Sequence, residues 1–433
     1  MQIQNLININ RIDIIIGIEY VDFYENQYNT NFFIDLYLEH KYSWNKLKER
    51  NFHGREDFLK RFNTLIDSIK HEGNKNAIFT IKCENEYWVV DGFHRASILY
   101  YYNLPLNVKI KEDDKVRFYY YPTNIYFFKN KMPGTICKLD LKYCNYTMLC
   151  LFKQYYKEFS TIILFPNKIN LSSELQTKIK NDLIYEISIS SENLSNNFKN
   201  NFIQMLYYNE SWCKGGGYKK KADMCFDEEG YLKIIFIKKK NINDLNELKA
   251  NIRKYYNKGK NSIHTPDKQE ECDYLLQLLN ENTITYMCKT PSLYVKFNNF
   301  NRLLIKLKEF CKSNDIDKKK ICITSSSVLS IYGLRDCRDM DLFIDRKYID
   351  IFKNSCFDNH NIYSIKNHYS NHFEDIIYNP ENHFYYENFK FCELSIIYRY
   401  KKYRIEKSVF SVQSCEKDKR DINDMVEKNY INN

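Results

Sequence analysis

The sequence is poor in the residues and patterns that mark several classes of protein. Its 433 residues include only 11 glycines and 7 prolines, and none of the 14 cysteines forms the Cys-x-x-Cys pair of a zinc site. Cys322 and Cys392 lie inside apolar runs, where buried free thiols are expected. The apolar segment Ile12–Val21 is interrupted by Asp13 and Glu19, and it is far shorter than the ~20 residues of a membrane helix. These absences predict a cytoplasmic protein of a reducing compartment, without a signal peptide, disulfide framework or membrane span.

The composition that is present indicates a globular chain. Hydrophobic residues make up 44% of the sequence, and 433 residues are more than one ordinary core holds, so two or three domains are expected. The formal net charge of +10 would attract partners that carry phosphate. Because the lysines are scattered, a solvated lysine-rich surface is the favoured interpretation of this charge.

The N-terminal part alternates helical and strand patterns. Helices are predicted over Glu56–His71 and His94–Tyr102, and short strands over Ala77–Lys82, Tyr87–Val90 and Leu106–Ile110. Together they predict a first domain over residues 1–125.

A tight turn in this domain carries a candidate anion site. The strand ends at Asp91-Gly92, and the next helix opens on His94 and Arg95. Gly92 permits the turn, and the helix N-terminus together with His94 and Arg95 would favour an anionic group. Asp91 would cap the helix or help to hold a cation. The alternative is an Asp-capped helix with surface histidine and arginine side chains.

Residues 60–115 resemble the ParB/sulfiredoxin-like superfamily, whose signature is Asp-Gly-x-x-Arg after a strand. The resemblance implies that the turn binds nucleotide phosphates. Members include CTP-hydrolysing partition proteins, sulfiredoxins and ADP-dependent free serine kinases. Phe93 stands where sulfiredoxin chemistry needs a cysteine, and no helix-turn-helix module for DNA partitioning is recognisable. A kinase-like role, with a possible second phosphotransferase activity, or a purely nucleotide-binding role follows from the resemblance.

The middle region, residues 126–299, is predicted to be α/β with no assigned role. Strands are expected at Thr161–Phe165 and Leu232–Lys238. The segment Gly215–Lys221 lacks the spacing of a phosphate-binding loop, and a flexible hairpin is favoured there. A single histidine, His264, is retained as a minor candidate site because the residues after it are explained as a helix start.

The C-terminal region, residues 300–433, is predicted to be a mixed sheet with helices. The whole chain is therefore expected to be an α+β multidomain protein. The elements expected in this region are helices at Leu303–Lys312, Val328–Tyr332 and Lys417–Lys428 and strands at Ile321–Thr324, Asp339–Asp345 and Phe389–Ile397.

Two carboxylates in this region form the sharpest pattern of the chain. Asp339 and Asp341 are two residues apart, so on a strand their side chains would share a face. Adjacent carboxylates repel each other unless a cation lies between them, and Mg²⁺ prefers oxygen ligands. The alternative is a strand with two solvated acids.

Serine and arginine side chains flank this pair in the sequence. Ser325 and Ser326 lie between a predicted strand and a predicted helix, where backbone N–H groups and hydroxyls can hold phosphate. Arg335 and Arg338 would bring guanidinium groups close to the carboxylates and neutralise a triphosphate.

These residues resemble the DNA polymerase β-like nucleotidyltransferase superfamily, in which a Gly-Ser turn is followed by a helix and an Asp-x-Asp strand. The resemblance implies that Asp339 and Asp341 hold Mg²⁺ (or Mn²⁺), which bridges the phosphates of an NTP substrate. A third carboxylate is expected, with Glu393 as the first candidate and Asp375 behind it. Ser325 stands where the pattern has glycine. Lys417-Asp418-Lys419-Arg420-Asp421 is similar to the Lys-Asp-x-x-Asp that often closes antitoxin- and toxin-type members.

The leading hypothesis is an Mg²⁺-dependent nucleotidyltransferase. It would move a nucleoside monophosphate from an NTP to a small molecule, a glycan precursor or a protein side chain. The alternatives are an RNA-directed enzyme of the tRNA-modifying or toxin type, and a nucleotide sensor without catalysis.

Overall fold

A computed structural model describes residues 12–47, 54–83, 86–110, 145–146, 149–150, 152, 158–208, 210–366, 368–407 and 411–431. The chain separates into two compact units. The first contains Met1–Phe159, Asp182–Glu186 and Phe236–Lys238, and the second contains Ser160–Asn181, Ile187–Ile235 and Lys239–Asn433. With helices and three sheets, the described chain is α+β and multidomain.

The boundary predicted near residue 125 lies outside the described residues. The second unit holds most of the region expected to form a middle domain as well as the C-terminal region. None of the helices among the described residues combines the length and apolarity needed to cross a membrane.

The described elements before residue 111 belong to the first unit. Its helices are α1 (Ile12–Asn26), α2 (Phe32–Leu47), α3 (Arg55–Glu72) and α4 (Phe93–Tyr101). Its strands are β1 (Ile78–Cys83), β2 (Glu86–Asp91) and β3 (Val108–Ile110). Strand β1 lies in the centre, antiparallel to β2 and parallel to β3, so the helix–hairpin–helix–strand order predicted here is confirmed.

Close packing between α1 and α4 depends on one glycine. A Cβ atom at Gly17 would lie 2.3 Å from the Ser97 hydroxyl oxygen, so a side chain there would force the helices apart. Ser97 Oγ in turn donates a hydrogen bond to the Ile14 carbonyl at 2.9 Å. These contacts with α1 thereby hold α4, the helix that follows the Asp91-Gly92 turn, in place.

The remaining described elements follow residue 158. The helices are α5 (Ser173–Lys180), α6 (Asn196–Leu206), α7 (Tyr218–Cys225), α8 (Ile242–Tyr256), α9 (Gln269–Leu275), α10 (Glu281–Lys289), α11 (Asn298–Ser313), α12 (Ser326–Ile331), α13 (Ile349–Phe352), α14 (Asn361–Ile365), α15 (Phe373–Tyr378), α16 (Leu394–Lys407) and α17 (Val412–Glu427). The strands are β4 (Phe159–Leu164), β5 (Leu183–Ser190), β6 (Tyr231–Lys238), β7 (Ile263–His264), β8 (Ile321–Thr324), β9 (Asp341–Ile344), β10 (Asp358–Asn359), β11 (His383–Tyr386) and β12 (Phe389–Cys392).

Two sheets are built from these strands. One has the order β5-β6-β4-β7, and β4 runs antiparallel to β7 with Ile163 opposite His264. The other has the order β10-β9-β8-β12-β11. Its central strand β8 is antiparallel to β9 and parallel to β12, and all four of its residues are buried. The mixed C-terminal sheet predicted from the sequence is confirmed.

Helix α11 holds the loop that leads into β9. Its buried residues recur at helical spacing and include Phe300, Leu304 and Leu307, as expected for an amphipathic helix. The Asp336 carboxylate accepts hydrogen bonds from the Asn299 and Phe300 backbone N–H groups at 3.1 and 3.0 Å. Because Asp336 satisfies N–H groups that the helix leaves free at its start, the loop and the helix stabilise each other.

The triple-glycine segment is helical, so the hairpin predicted for it is wrong. Cys213–Gly217 forms a single π-helical turn that continues into α7. Gly216 has φ 95°, a value that glycine adopts without strain, and this allows a kink without a reversal of the chain.

Candidate functional site

The end of β8 lies beside the start of β9. Thr324, the last residue of β8, is paired with Asp341, the first residue of β9. Ser325 follows with φ 57° and ψ −131°, a conformation that costs a residue with a side chain about 1–3 kcal/mol. This backbone conformation explains why a glycine is expected at the position. The serine adds a hydroxyl that hydrogen-bonds the Asp341 carboxylate.

The two predicted metal-binding carboxylates differ in exposure. Asp341 is 6% exposed, whereas the Asp339 side chain keeps 35% of its surface. The strand predicted to begin at residue 339 begins at Asp341, so Asp339 lies in the loop before it. Arg338 Nη2 lies 3.2 Å from Asp339 Oδ2 and holds that carboxylate at the edge of the site. Both carboxylates still line the same cavity.

Asp341 is held ionised by its neighbours. His360 Nε2 lies 3.1 Å from Asp341 Oδ1, and His360 Nδ1 lies 2.8 Å from the Tyr369 hydroxyl. Burial raises the pKa of Asp341, but the hydrogen bonds and charge of His360, the hydrogen bond of Ser325 and the charge of Lys401 outweigh it. The pKa therefore falls below its ordinary value of 3.8, and the buried carboxylate is negative at neutral pH.

A third carboxylate, Asp358, lies beside this pair and was missed by the sequence patterns. Strand β10 runs parallel to β9 with Asp358 opposite Asp341. The Asp358 backbone N–H donates to the Met340 carbonyl at 3.2 Å, and its side chain lines the cavity. Strand β10 has only two residues, both exposed, so no hydrophobic alternation marks it in the sequence.

These groups surround a cavity of about 390 Å³ in the second unit, here named the carboxylate cavity. It brings together all six residues of the C-terminal region that were predicted to bind phosphate or metal, namely Ser325, Ser326, Arg335, Arg338, Asp339 and Asp341. The other lining residues are Asp358, His360, Tyr363, Tyr400, Lys401, Arg404, Ser411, Gln413, Ser414, Lys417 and Asp418. The cavity is strongly polar, with cations and carboxylates side by side.

A buried ionic network forms one wall of this cavity. Arg335 Nε and Nη2 donate to the two Asp421 carboxylate oxygens at 2.6 and 2.9 Å. Lys401 Nζ lies 2.7 Å from both Asp418 and Asp421, and Arg404 forms an ion pair with Asp418 at 2.9 Å. The two acids of the Lys-Asp-x-x-Asp pattern thus fix cationic side chains. Arg335 thus lines the cavity as an ion-pair partner of Asp421, and the phosphate-binding role predicted for it stays a prediction.

Two other cations are less constrained. The Arg338 side chain is 91% exposed at the cavity rim. Burial, and then the charges of Arg335 and Lys401, lower the pKa of Lys417. Arg338 contacts Asp339, and both cationic side chains line the cavity.

Glu393 does not join the carboxylates, contrary to expectation. Strand β12 ends at Cys392 and α16 begins at Leu394, so the predicted strand Phe389–Ile397 is two elements. The Glu393 carboxylate accepts hydrogen bonds from the Ser395 backbone N–H and hydroxyl, which places it at the start of a helix. It is not among the described residues that line the cavity.

The second candidate for a third acid, Asp375, is also placed elsewhere. Its Oδ2 accepts hydrogen bonds from Asn371 Nδ2 at 3.1 Å and Asn382 Nδ2 at 2.8 Å. These contacts bind the start of β11 to α15. Among the described side chains, Asp358 is therefore the unforeseen carboxylate next to the predicted pair.

The Asp91-Gly92 turn has the backbone geometry predicted from the sequence. Gly92 has φ 88° and immediately precedes α4, and Asp91 Oδ1 accepts a hydrogen bond from the Gly92 N–H at 2.8 Å. The Arg95 guanidinium folds back over the turn. It lies so close that a Cβ atom at Gly92 would be 2.7 Å from Arg95 Nη2. Arg95 and the helix N-terminus are thus adjacent.

His94 in the same motif faces aromatic side chains. Its Nε2 lies 3.1 Å from the Tyr37 hydroxyl, and its ring centroid lies 4.4 Å from that of Phe62. Burial, and then the charge of Lys41, hold the pKa of His94 well below its ordinary value of 6.5. The imidazole is thus directed at aromatic side chains, and the anion-binding role predicted for it stays a prediction.

His264 lies away from the carboxylate cavity. It ends the short strand β7, and burial lowers its pKa to about 3. Its Nε2 is buried and has no hydrogen-bond partner among the described residues. It lines a second cavity of the same unit.

The carboxylate cavity suits a hard divalent cation in donor type. Asp339 and Asp341 offer oxygen ligands, and Mg²⁺ is often held by one or two carboxylates together with water and substrate phosphates. No group of three or more His, Cys, Asp or Glu side chains forms a metal cluster within the described part of the chain. The pair therefore fits an ion whose remaining ligands come from a substrate.

Comparison with known proteins identifies no relative of this chain: no protein-family model, curated protein or solved structure matches it. The carboxylate cavity has to be interpreted from its own residues.

Proposed function

We propose that the second unit is an Mg²⁺-dependent nucleotidyltransferase that moves a nucleoside monophosphate from an NTP to an acceptor hydroxyl. One observation carries the proposal. The pairing of Thr324 with Asp341 places the Ser325 turn directly against the carboxylates. A serine turn, carboxylates and cationic side chains in a single cavity are the groups that would hold a nucleoside triphosphate and its metal ion.

Asp339 and Asp341 would hold the cation. A bound Mg²⁺ would supply positive charge that offsets the negative charge of the substrate phosphates. Arg338 and Lys417 would contact the triphosphate, since neither is fixed by the buried network. Ser325 and His360 orient the Asp341 carboxylate, which burial would otherwise push towards protonation.

Asp358, rather than Glu393, takes the role of proton acceptor. It is exposed in the cavity, opposite Asp341 across the β9–β10 pair. In the proposed step the acceptor oxygen bonds to the α-phosphorus, and the bond from that phosphorus to pyrophosphate breaks. The hydroxyl proton passes to the Asp358 carboxylate.

Pyrophosphate release tests the proposal. The full chain with Mg²⁺ is assayed with each of the four NTPs against small hydroxyl compounds, glycan precursors, proteins and tRNA. We expect release with at least one acceptor, and a loss on the order of a hundredfold or more in Asp341→Asn. Asp350→Asn is the matched control, because that side chain is 86% exposed and pairs only with Lys353 within the described residues.

The outcomes separate the alternatives. Transfer to tRNA alone would assign the RNA-directed class. Nucleotide binding without pyrophosphate release from any acceptor would indicate a sensor and overturn the proposed reaction.

A further inference from the structure

The second cavity of the second unit, of about 360 Å³, is large enough for a small molecule. Helix α6 and the residues after it, β7, α9 and its 3₁₀ extension, α10 and the end of β11 contribute to its walls. None of the described residues lines both this cavity and the carboxylate cavity. It is therefore a separate candidate site.

Acidic side chains dominate the ionic lining of this cavity. Lys268 is the only basic residue among the described residues that line it. Against it stand five carboxylates, which are Glu210, Asp267, Glu270, Glu271 and Glu387. A cavity lined in this way repels phosphate and attracts cations.

Part of this negative charge has no internal partner. Glu387 is neutralised by Lys308 and accepts a hydrogen bond from the Tyr208 hydroxyl at 3.0 Å. In contrast, no lysine or arginine nitrogen lies within 4.0 Å of the Glu210 or Glu270 carboxylates within the described chain. Both of these glutamates are exposed at the rim. Two carboxylates are thus left for a ligand.

Aromatic rings form much of the remaining surface. Tyr286 and Tyr386 are buried, with 1% and 6% exposure, and Tyr207 and Tyr274 are half-buried. The faces of tyrosine rings attract organic cations, and the attraction increases as the cation is removed from water. A lining of tyrosine rings and carboxylates suits a ligand with an apolar body and a positive charge.

His264 provides an independent indication of a ligand. It lines the cavity, it is neutral because burial lowers its pKa to about 3, and its buried Nε2 lacks a hydrogen-bond partner in the described structure. Buried polar atoms are rarely left unpaired in folded proteins. A ligand group or a water molecule in the cavity would supply the missing hydrogen-bond partner of His264 Nε2.

We propose that this cavity binds a small organic cation, an amine or a quaternary ammonium compound. Glu210 and Glu270 balance its charge, the tyrosine rings surround its apolar part, and His264 completes its hydrogen bonding. The site is independent of the proposed transfer reaction.

The test is a titration of the full chain with choline and with 3,3-dimethyl-1-butanol, the neutral isostere that has carbon in place of the ammonium nitrogen. 1,5-Diaminopentane represents the amines. Binding is measured by calorimetry. We expect choline or the diamine to bind about tenfold or more tightly than the neutral isostere, because only a cation gains the carboxylate and ring interactions.

Variants assign the binding to the cavity. The double variant Glu210→Gln/Glu270→Gln should weaken cation binding about tenfold without affecting the neutral isostere. Both positions are exposed, so folding should be unaffected. Glu247→Gln, an exposed change on α8, is the matched control and should bind as the unaltered chain does. Equal affinity for choline, the diamine and the isostere, no binding of either cation, or unchanged binding in the double variant would overturn the proposal.

Discussion

Two segments of this chain have the sequence of a phosphate-binding turn, and their surroundings differ. At Asp91–Arg95 the imidazole of His94 is packed against Tyr37 and Phe62, and Arg95 folds over Gly92. Around the Ser325 turn, four carboxylates (Asp339, Asp341, Asp358 and Asp418) line the same cavity as the cationic side chains of Arg338 and Lys417. Similar motifs therefore leave very different amounts of charge available to a ligand.

The difference shows that a residue with an ionisable side chain does not always offer its charge to a ligand, because the fold can bury or pair that side chain. Burial lowers the pKa of His94, and Arg335 forms an ion pair with Asp421. Conversely, the bonds to Arg335 and Lys401 lower the pKa of the buried Asp421 carboxyl and keep it ionised. The following changes test this contrast, from the largest expected effect to the smallest.

The largest effect is expected from Asp358→Asn. Removal of a proton acceptor typically slows a reaction by 10²–10⁴-fold, so pyrophosphate release should fall by about that factor while nucleotide affinity changes little. Asp91→Asn, at the other turn, should leave the rate unchanged. An equal loss of pyrophosphate release in both variants would contradict the proposed difference between the two turns.

Asp421→Asn should destabilise the second unit by about 3–5 kcal/mol, because Arg335 and Lys401 would lose a buried partner. Chemical denaturation measures this change, with the exposed substitution Glu427→Gln on the same helix as control.

The same variant predicts a pH dependence. Burial raises the pKa of Asp421, but its bonds to Arg335 and Lys401 outweigh this and lower it below the ordinary value of 3.8. Its stabilising contribution is therefore complete above pH 3.8 and is lost as the pH falls through the lowered folded value. The stability difference between the variant and the unaltered chain should shrink below pH 3.8; a difference that persists in strong acid would contradict the ionic explanation.

His94 predicts a smaller dependence in the first unit, at a higher pH. The pKa of His94 in the folded chain is well below 6.5, so just below pH 6.5 the histidine binds a proton in the unfolded chain but not in the folded chain. As the pH falls below 6.5, the free energy of unfolding should decrease by up to about 1.4 kcal/mol per pH unit. His94→Phe should remove this slope between pH 6.5 and 5. A slope that is unchanged in the variant would mean that His94 is accessible and charged.

The smallest effect concerns Arg338. Because its side chain is 91% exposed, Arg338→Gln should leave stability within about 0.5 kcal/mol and weaken nucleotide binding a few-fold. Nucleotide titration with and without Mg²⁺ measures it, and the exposed substitution Arg302→Gln on α11 is the control. An unaltered nucleotide affinity would remove Arg338 from the proposed triphosphate contacts.

Local patterns predicted much of the fold. Helices α3 and α11 have apolar residues at helical spacing, the β1–β2 hairpin and β8 are short runs typical of strands, and the structure confirms each. The prediction failed where two short elements share one apolar run. Phe389–Ile397 reads as a strand, but it changes to a helix at Leu394, and a run of that length cannot distinguish the two.

The candidate site was predictable only where its residues are adjacent in sequence. The Ser325 turn and the Asp339–Asp341 pair form a local pattern. Asp358 and Lys401 come from distant elements, and only the strand pairing and the packing of α16 on α17 bring them to the cavity. Their positions at the cavity depend on the tertiary structure, so no local sequence pattern predicts them.

A structure of the full chain with an NTP and Mg²⁺ tests the central claim most directly, because both turns can be inspected at once. We predict that the triphosphate lies in the carboxylate cavity, with a metal ion on Asp339 and Asp341 and the phosphates close to Ser325 and Arg338. The Asp91–Arg95 turn should be empty. A triphosphate at Asp91–Arg95 and none in the cavity would contradict the account.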